Sequence, residues 1–273
     1  MLLAVLCLTL LDTIGKRLVV DGLHPLQAAW GRYAFSLLPL LLVPAFSGWS
    51  RLATARPILH VARGLTVIGA TLALFIGLRT LPLSDAYAIS YVSPLIVAVL
   101  SRFVFAERLT RWQHLAIALA FAGSLMVIRP AFAQAGVAVV FPLLMAVSYA
   151  IYQVLTRIAR RTDDAIVCVF YVSLVGFAVL TLMVPFVWAP MSPGDWLSFV
   201  AMGGCGLAGH WLIAVAANRA APSLLAPLSY AQLIYAALID LTVFGAIPDR
   251  WTLAGSGIIL LGGALLWRAA PRK

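Results

Sequence analysis

Charged residues are scarce in this sequence, and their scarcity decides the class of protein. Only 10% of the 273 residues are charged and 63% are hydrophobic, and the mean hydropathy is +1.04. Acidic residues are the rarest charged type, nine against nineteen Lys and Arg. Because charged residues make up about 25% of an ordinary soluble domain, the composition excludes that class and predicts an integral membrane protein.

Other absences narrow the function. The three cysteines, Cys7, Cys168 and Cys205, lie within apolar stretches and lack the spacing of metal ligands, so we expect no metal site. The nucleotide-binding pattern G-x-x-x-x-G-K-[ST] does not occur, which argues against primary active transport by this chain alone. No cofactor is predicted. A passive channel would need rings of like residues around a pore, and the sequence provides no such ring.

Apolar stretches follow one another along nearly the whole chain. A bilayer core is roughly 30 Å thick and takes about 20 helical residues to cross, and within it the backbone must form its hydrogen bonds inside each segment. The sequence therefore predicts an all-α integral membrane protein with ten transmembrane helices. The ten predicted spans are 2–20, 25–46, 61–81, 83–104, 112–129, 136–155, 165–188, 196–217, 223–245 and 252–270.

The two halves of the sequence resemble each other at an offset of 139 residues. This offset aligns Ser84 with Ser223, Tyr91 with Tyr230, Phe105 with Phe244, Trp112 with Trp251 and Gly123 with Gly262. We therefore predict two five-helix repeats, 1–134 and 135–273. Since five is an odd number, the second repeat must enter the membrane inverted, a construction common in secondary transporters.

The basic residues predict the orientation. With both termini in the cytoplasm, most of the nineteen Lys and Arg residues fall in cytoplasmic links, as the positive-inside rule requires. The net charge of +10 is thus explained by short loops next to lipid, and no nucleic-acid partner is expected.

Several polar side chains occur inside predicted spans, where charges are costly and often functional. Asp12 and Lys16 are four residues apart and share a helix face, so they can pair. Pairing of Asp12 with Lys16 or with Arg32 would give a purely structural link between the first two spans. His210 fits either a buried structural histidine or a proton carrier.

A functional interpretation rests on tyrosines beside prolines. Tyr87, Tyr91 and Pro94 share one face of the fourth span, and Pro227 with Tyr230 repeats this arrangement in the ninth. We expect these residues to line a central cavity, with Tyr91 and Tyr230 facing each other across it and with Pro94 and Pro227 as helix-breaking or gating positions. The predicted substrate-binding residues are Asp12, Lys16, Arg32, Tyr87, Tyr91, Tyr149, Tyr152, Gln153, His210, Trp211, Tyr230 and Gln232. The candidates for proton coupling are Asp12, Asp240 and His210.

These residues lead to a family resemblance. The chain resembles EamA-type members of the drug/metabolite transporter superfamily through Arg32, Arg63-Gly64, the segment 81–86 (LPLSDA), Pro94 and the segment 105–110 (FAERLT). The resemblance implies a bacterial inner-membrane carrier with inverted repeats that works by alternating access. Glu107 matches a glutamate of that family and is a candidate gating residue, although it could instead pair with Arg108 or Arg111 or favour the positive N-terminus of the fifth span. The repeat register places Ala246 opposite Glu107, so that role would not be duplicated.

The leading hypothesis is a secondary transporter that exports amino acids or related zwitterions. An uptake or exchange carrier for a larger metabolite, similar to S-adenosylmethionine or riboflavin, is the alternative within transport. An intramembrane lipid-modifying enzyme is a third hypothesis, and it would need Asp12, His210 and Asp240 gathered into one site. The expected partners are a small-molecule substrate, membrane lipid and a proton as candidate coupling ion. The oligomeric state stays open.

Overall fold

The chain folds into helices joined by short links. The computed structural model describes residues 1–42, 48–106, 110–219 and 228–269, and every regular element in these ranges is helical. The α-helices are α1 Leu2–Val20, α2 Pro25–Leu40, α3 Pro57–Gly77, α4 Leu83–Ser90, α5 Ser93–Phe105, α6 Arg111–Ala135, α7 Val140–Ala159, α8 Ala165–Met183, α9 Pro193–Arg219, α10 Ala231–Val243 and α11 Arg250–Ala269. Short 3-10 segments lie at Trp49–Leu52, Gly136–Val139 and Val184–Val187.

The helices present apolar side chains to their surroundings. Within the described ranges, five stretches are long and apolar enough to cross a membrane: Pro57–Gly77, Leu83–Phe105, Arg111–Ala159, Ala165–Val187 and Pro193–Ile213. Ile58, Phe103 and Phe186 are 84%, 80% and 87% exposed, and large apolar exposure of this kind suits contact with lipid. The chain is an all-helical membrane protein.

The helix boundaries depart from the predicted spans in places. The predicted span 61–81 begins earlier, because Pro57 occupies the first helical turn, and its helix ends at Gly77. The predicted span 83–104 is two helices with a break at Tyr91 and Val92. Pro94 stands in the first turn of α5, where its missing N–H breaks no helical hydrogen bond.

Glycines bring α6 and α11 into close contact. A Cβ atom on Gly123 would lie 2.5 Å from the carbonyl oxygen of Gly255, and one on Gly262 would lie 2.9 Å from that of Ala116. The earlier residue of α6, Ala116, meets the later residue of α11, Gly262, and Gly123 meets Gly255. The two helices therefore pack antiparallel. The 139-residue offset pairs Gly123 with Gly262 and Ala116 with Gly255, so each contact is the repeat counterpart of the other.

The same reciprocity extends to the other helix contacts. By the offset, α1, α2 and α3 correspond to α7, α8 and α9. Helix α1 packs on α9 as α7 packs on α3, and α2 packs on α9 as α8 packs on α3. Helices α5 and α10 also correspond, and they pack on α7 and α1 respectively. The contacts of one half are thus repeated by the other.

We predict that the stability of the protein depends on the small size of the glycines where α6 and α11 cross. A Gly123→Ala protein should unfold roughly 3–10 °C below the parent in detergent, because the added methyl would force backbones apart at an overpacked contact. Gly257→Ala is the matched control, since a Cβ there meets nothing within 4 Å. Equal unfolding temperatures for the two variants would contradict the close approach.

Candidate functional site

The helices enclose a cavity of about 900 Å³. Its walls include the predicted residues Asp12, Arg32, Tyr87, Tyr91, Pro94, Tyr149, Tyr152, Gln153, His210, Tyr230 and Gln232. These side chains come from both halves of the chain, which accounts for their wide separation in sequence. Tyr33, Ser36, Thr71, Ser90, Ser173 and Arg157 also line the cavity. The fold thus brings most of the predicted substrate-binding residues to one space.

The cavity extends to exposed residues at one end of the helices. There it is lined by Met1, Ser101, Thr110, Gln113 and Arg157, of which Thr110 and Gln113 are exposed. This end is called the Arg157 end below. The opposite end, called the Asp240 end, contains Lys16 of α1. Lys16 lies about 22 Å along the helix from Met1, since a helix rises about 1.5 Å per residue.

Asp12 and Arg32 form an ion pair on the cavity wall. An Arg32 guanidinium nitrogen lies 3.7 Å from Asp12 Oδ1, and the Tyr87 hydroxyl donates to Asp12 Oδ2 at 2.7 Å. Asp12 Oδ1 is buried and has no hydrogen-bond partner within the described part of the chain. A buried acceptor in this condition is costly, and a ligand N–H in the cavity would satisfy it.

Two tyrosines at corresponding repeat positions meet beside the cavity. The rings of Tyr91 and Tyr230 are stacked, with centroids 4.9 Å apart and planes at 26°. The Tyr91 hydroxyl donates to the carbonyl oxygen of Ser229 at 3.0 Å. The two side chains therefore touch, whereas we expected them to face each other across the cavity. Two residues at equivalent repeat positions contact each other when both lie close to the axis that relates the repeats.

Further aromatic side chains complete the wall. Tyr149 and Tyr152 lie with ring centroids 5.8 Å apart, and the Arg63 guanidinium lies 5.6 Å from the Tyr152 ring. Tyr33 was missed from the sequence, although its position next to Arg32 was a usable signal. Its hydroxyl is 2.9 Å from Thr71 Oγ1.

Lys16 does not pair with Asp12, so that sequence expectation is wrong. Its Nζ lies 3.0 Å from Asp240 Oδ1, and neither residue lines the cavity. Asp240 attracts Lys16 because the carboxylate is fully buried, held by N–H groups at the start of α4. The alternative pairing of Asp12 with Arg32 is the one observed.

The remaining predicted residues are placed as follows. Trp211 is 64% exposed and does not line the cavity beside its neighbour His210. Pro227 and Glu107 lie outside the described residues. Asp12, His210 and Asp240 do not share one site, since Asp240 is absent from the cavity wall. Among the described residues, no group of three or more His, Cys, Asp or Glu side chains could hold a metal ion.

A buried polar cluster near the Arg157 end was not predicted. Arg63 donates to His60 Nδ1 at 2.8 Å and to Thr156 Oγ1 at 3.1 Å. His60 Nε2 lies 3.2 Å from Asp163 Oδ2, so a neutral imidazole would carry its proton on Nε2. Desolvation raises the pKa of the Asp163 carboxyl, but hydrogen bonds from His60 and Thr162 outweigh this and lower it. The cluster ties α3 to α7 and the turn after it.

We predict that Arg32→Leu destabilises the folded protein, because removal of one partner from a buried ion pair costs roughly 3–5 kcal/mol. Asp12→Asn combined with Arg32→Leu should restore part of the loss, since no unpaired charge then remains. Thermal unfolding in detergent measures both effects. Arg17→Leu is the control: its pair with Asp21 is exposed, so the loss should be within about 1 kcal/mol. Additive losses in the double variant would argue against coupling of Asp12 and Arg32.

Known proteins resemble the chain over most of its length. The family model of the EamA-like transporter family matches residues 1–129 and 136–268. An S-adenosylmethionine uptake transporter of Rickettsia prowazekii (strain Madrid E) is 24% identical, over 87% of this chain and 81% of the relative. The pseudopaline exporter CntI of Pseudomonas aeruginosa (strain UCBPP-PA14) is 26% identical, over 71% of this chain and 69% of the relative.

Two further similarities extend over nearly the full length. An uncharacterized transporter of Helicobacter pylori (strain J99 / ATCC 700824) is 24% identical, over 97% of this chain and 92% of the relative. A protein crystal structure superposes with a TM-score of 0.70 at 22% identity, covering 98% of this chain and 96% of that chain. At this identity the structural likeness shows the fold alone.

Proposed function

The chain belongs to the EamA-like transporter family, and we propose that it is a secondary carrier that moves a small organic metabolite by alternating access. It is a transporter and not an enzyme. The observation that carries the mechanism is the cavity of about 900 Å³ between helices of both halves. We infer that this cavity opens to solvent at the Arg157 end, where its lining includes exposed residues, while buried polar contacts join the helices at the Asp240 end.

The proposal includes ten spans arranged as two inverted five-helix repeats, 1–134 and 135–273. Its support is the antiparallel packing of the corresponding helices α6 and α11 through Gly123 and Gly262. Inverted repeats place a substrate site at their interface, which agrees with a cavity lined by both halves. The distribution of Lys and Arg favours both termini in the cytoplasm, and membership of a family with bacterial transporters favours a bacterial inner membrane.

We propose an amino acid or related zwitterion as the substrate and export as the direction. Asp12 and Arg32 offer opposite charges on one wall of the cavity. Asp12 Oδ1, which has the Arg32 ion pair but no hydrogen bond within the described part of the chain, suits an ammonium group, and the Arg32 guanidinium suits a carboxylate. The tyrosines nearby could contact an apolar or planar remainder of the molecule.

A larger metabolite is the second candidate. Small-molecule pockets enclose roughly 300–1,000 Å³, so this cavity has room for more than a simple amino acid. Relatives include an S-adenosylmethionine uptake transporter and a pseudopaline exporter, so both directions of transport occur among them. Uptake or exchange of a bulkier solute would use the same cavity.

The substrate can be identified by binding and then by flux. A ligand that binds only the folded state raises the unfolding temperature, so we would screen amino acids, nucleosides and vitamins by thermal shift. Stabilising compounds would then be tested as labelled solutes in proteoliposomes under an imposed ion gradient. We expect zwitterionic amino acids to stabilise the protein and to be carried. If only larger, nucleoside-like solutes are carried, the second candidate replaces the first.

We predict that Asp12→Asn and Arg32→Gln each reduce flux of the identified substrate at least about tenfold, since each loses a charge-assisted hydrogen bond. Cys7→Ala is the control, because Cys7 lies on α1 without lining the cavity. Parental flux in both charge variants would exclude Asp12 and Arg32 as substrate ligands.

Proton coupling through Asp12 or His210 is a separate part of the proposal. If Asp12 carries the coupled proton, Asp12→Asn should abolish accumulation driven by a pH gradient, while the reduced flux that remains should still support counterflow of substrate. The pH dependence of flux in proteoliposomes measures this. A variant with the parent's pH dependence would rule out coupling at Asp12.

A further inference from the structure

The Asp240 end is held by one buried carboxylate. Asp240 Oδ1 accepts from Lys16 Nζ at 3.0 Å and from the Leu83 N–H at 2.9 Å, and Oδ2 accepts from the Ser84 N–H at 2.7 Å. Asp240 is fully buried and Lys16 is 5% exposed. The four residues Lys16, Leu83, Ser84 and Asp240, called the Asp240 clasp below, connect α1 and α10 to the first turn of α4.

The clasp stabilises the end at which the cavity is closed. A buried charge that loses its partners is strongly destabilised. Helices α1, α10 and α4 therefore cannot separate unless water replaces the contacts of Asp240 and Lys16. The positive end of the α4 dipole adds to the attraction for Asp240. Opening of the cavity at this end would therefore require the ion pair and both N–H contacts to break or to be hydrated.

The internal repeat has different residues at most of the positions equivalent to the clasp. At the offset of 139 residues, Asp240 corresponds to Ser101 and Lys16 corresponds to Leu155. Leu83 corresponds to Pro222, which has no N–H to donate. Of the four clasp positions, only Ser84 is matched, by Ser223. The repeats thus match in helix packing but differ at the positions that would close the Arg157 end.

We propose that Lys16 and Asp240 are gating residues, and that the missing counterparts at the Arg157 end bias the resting protein toward the conformation open at that end. This inference rests on the alternating access of the proposed function. It gives Lys16 and Asp240 a role away from the substrate, in place of the substrate-binding and proton-coupling roles expected from the sequence.

The bias can be measured without a substrate. Ser90 lines the cavity and is 7% exposed, so S90C supplies a nearly isosteric reporter thiol. The background would carry Ala in place of the three natural cysteines. A membrane-impermeant thiol reagent is applied to right-side-out and to inside-out vesicles. The parent should be labelled from the face of the Arg157 end and protected from the other face.

The test removes the clasp by giving it the residues of its repeat counterpart. In Lys16→Leu/Asp240→Ser, labelling of the S90C thiol from the Asp240 face should become at least about tenfold faster, since the lost contacts favoured the closed end. Arg17→Leu/Asp21→Ser is the matched control, because it removes an exposed ion pair from the same end of α1. A double clasp variant that labels at the control's rate would overturn the proposal.

Two further variants keep the inference testable if the first one folds poorly. Asp240→Asn retains an acceptor oxygen and removes the charge, so labelling from the Asp240 face should rise by a smaller factor. Ser101→Asp/Leu155→Lys places a charge pair at the Arg157 end and should slow labelling from that face. Parental rates in both variants would contradict the proposal. Loss of substrate flux with these labelling patterns intact would count against the proposed function and not against the clasp.

Discussion

A charge buried at membrane depth needs a partner, and this requirement organises the structure. Two ion pairs meet it among the described helices: Asp12 with Arg32, and Lys16 with Asp240. Both pairs use α1, and each joins it to a different helix. The first pair is set in the cavity wall, where an incompletely bonded carboxylate can receive a ligand. The second is sealed away from the cavity, where its carboxylate is fully bonded within the protein.

The helical layout could be predicted because lipid leaves the backbone few alternatives. Apolar stretches indicated the helices, and Pro94 indicated a local change in the fourth span, although the break at Tyr91 came earlier. The 139-residue offset predicted that Tyr91 and Tyr230 are equivalent. It did not predict that their rings stack, because a repeat defines equivalence without giving the distance to the axis.

The partners of the buried charges could not be derived from local spacing. Asp12 and Lys16 satisfy the i, i+4 rule, yet Lys16 pairs with a residue 224 positions away. The N–H groups of Leu83 and Ser84 at the start of α4 hold the Asp240 carboxylate in place, and this buried carboxylate determines where Lys16 pairs. The exposure of Trp211 was not predicted either. Trp211 and His210 are neighbours in sequence, but only His210 lines the cavity.

The central claim is that one cavity between two equivalent halves opens at opposite ends in turn. Spin-label distances across the Arg157 end and across the Asp240 end, measured in liposomes with and without a transported substrate, test it most directly. We expect the two distance distributions to shift in opposite directions, with the Arg157 end closing as the Asp240 end opens. Distances that stay fixed at both ends, or that change in the same direction, would contradict the account.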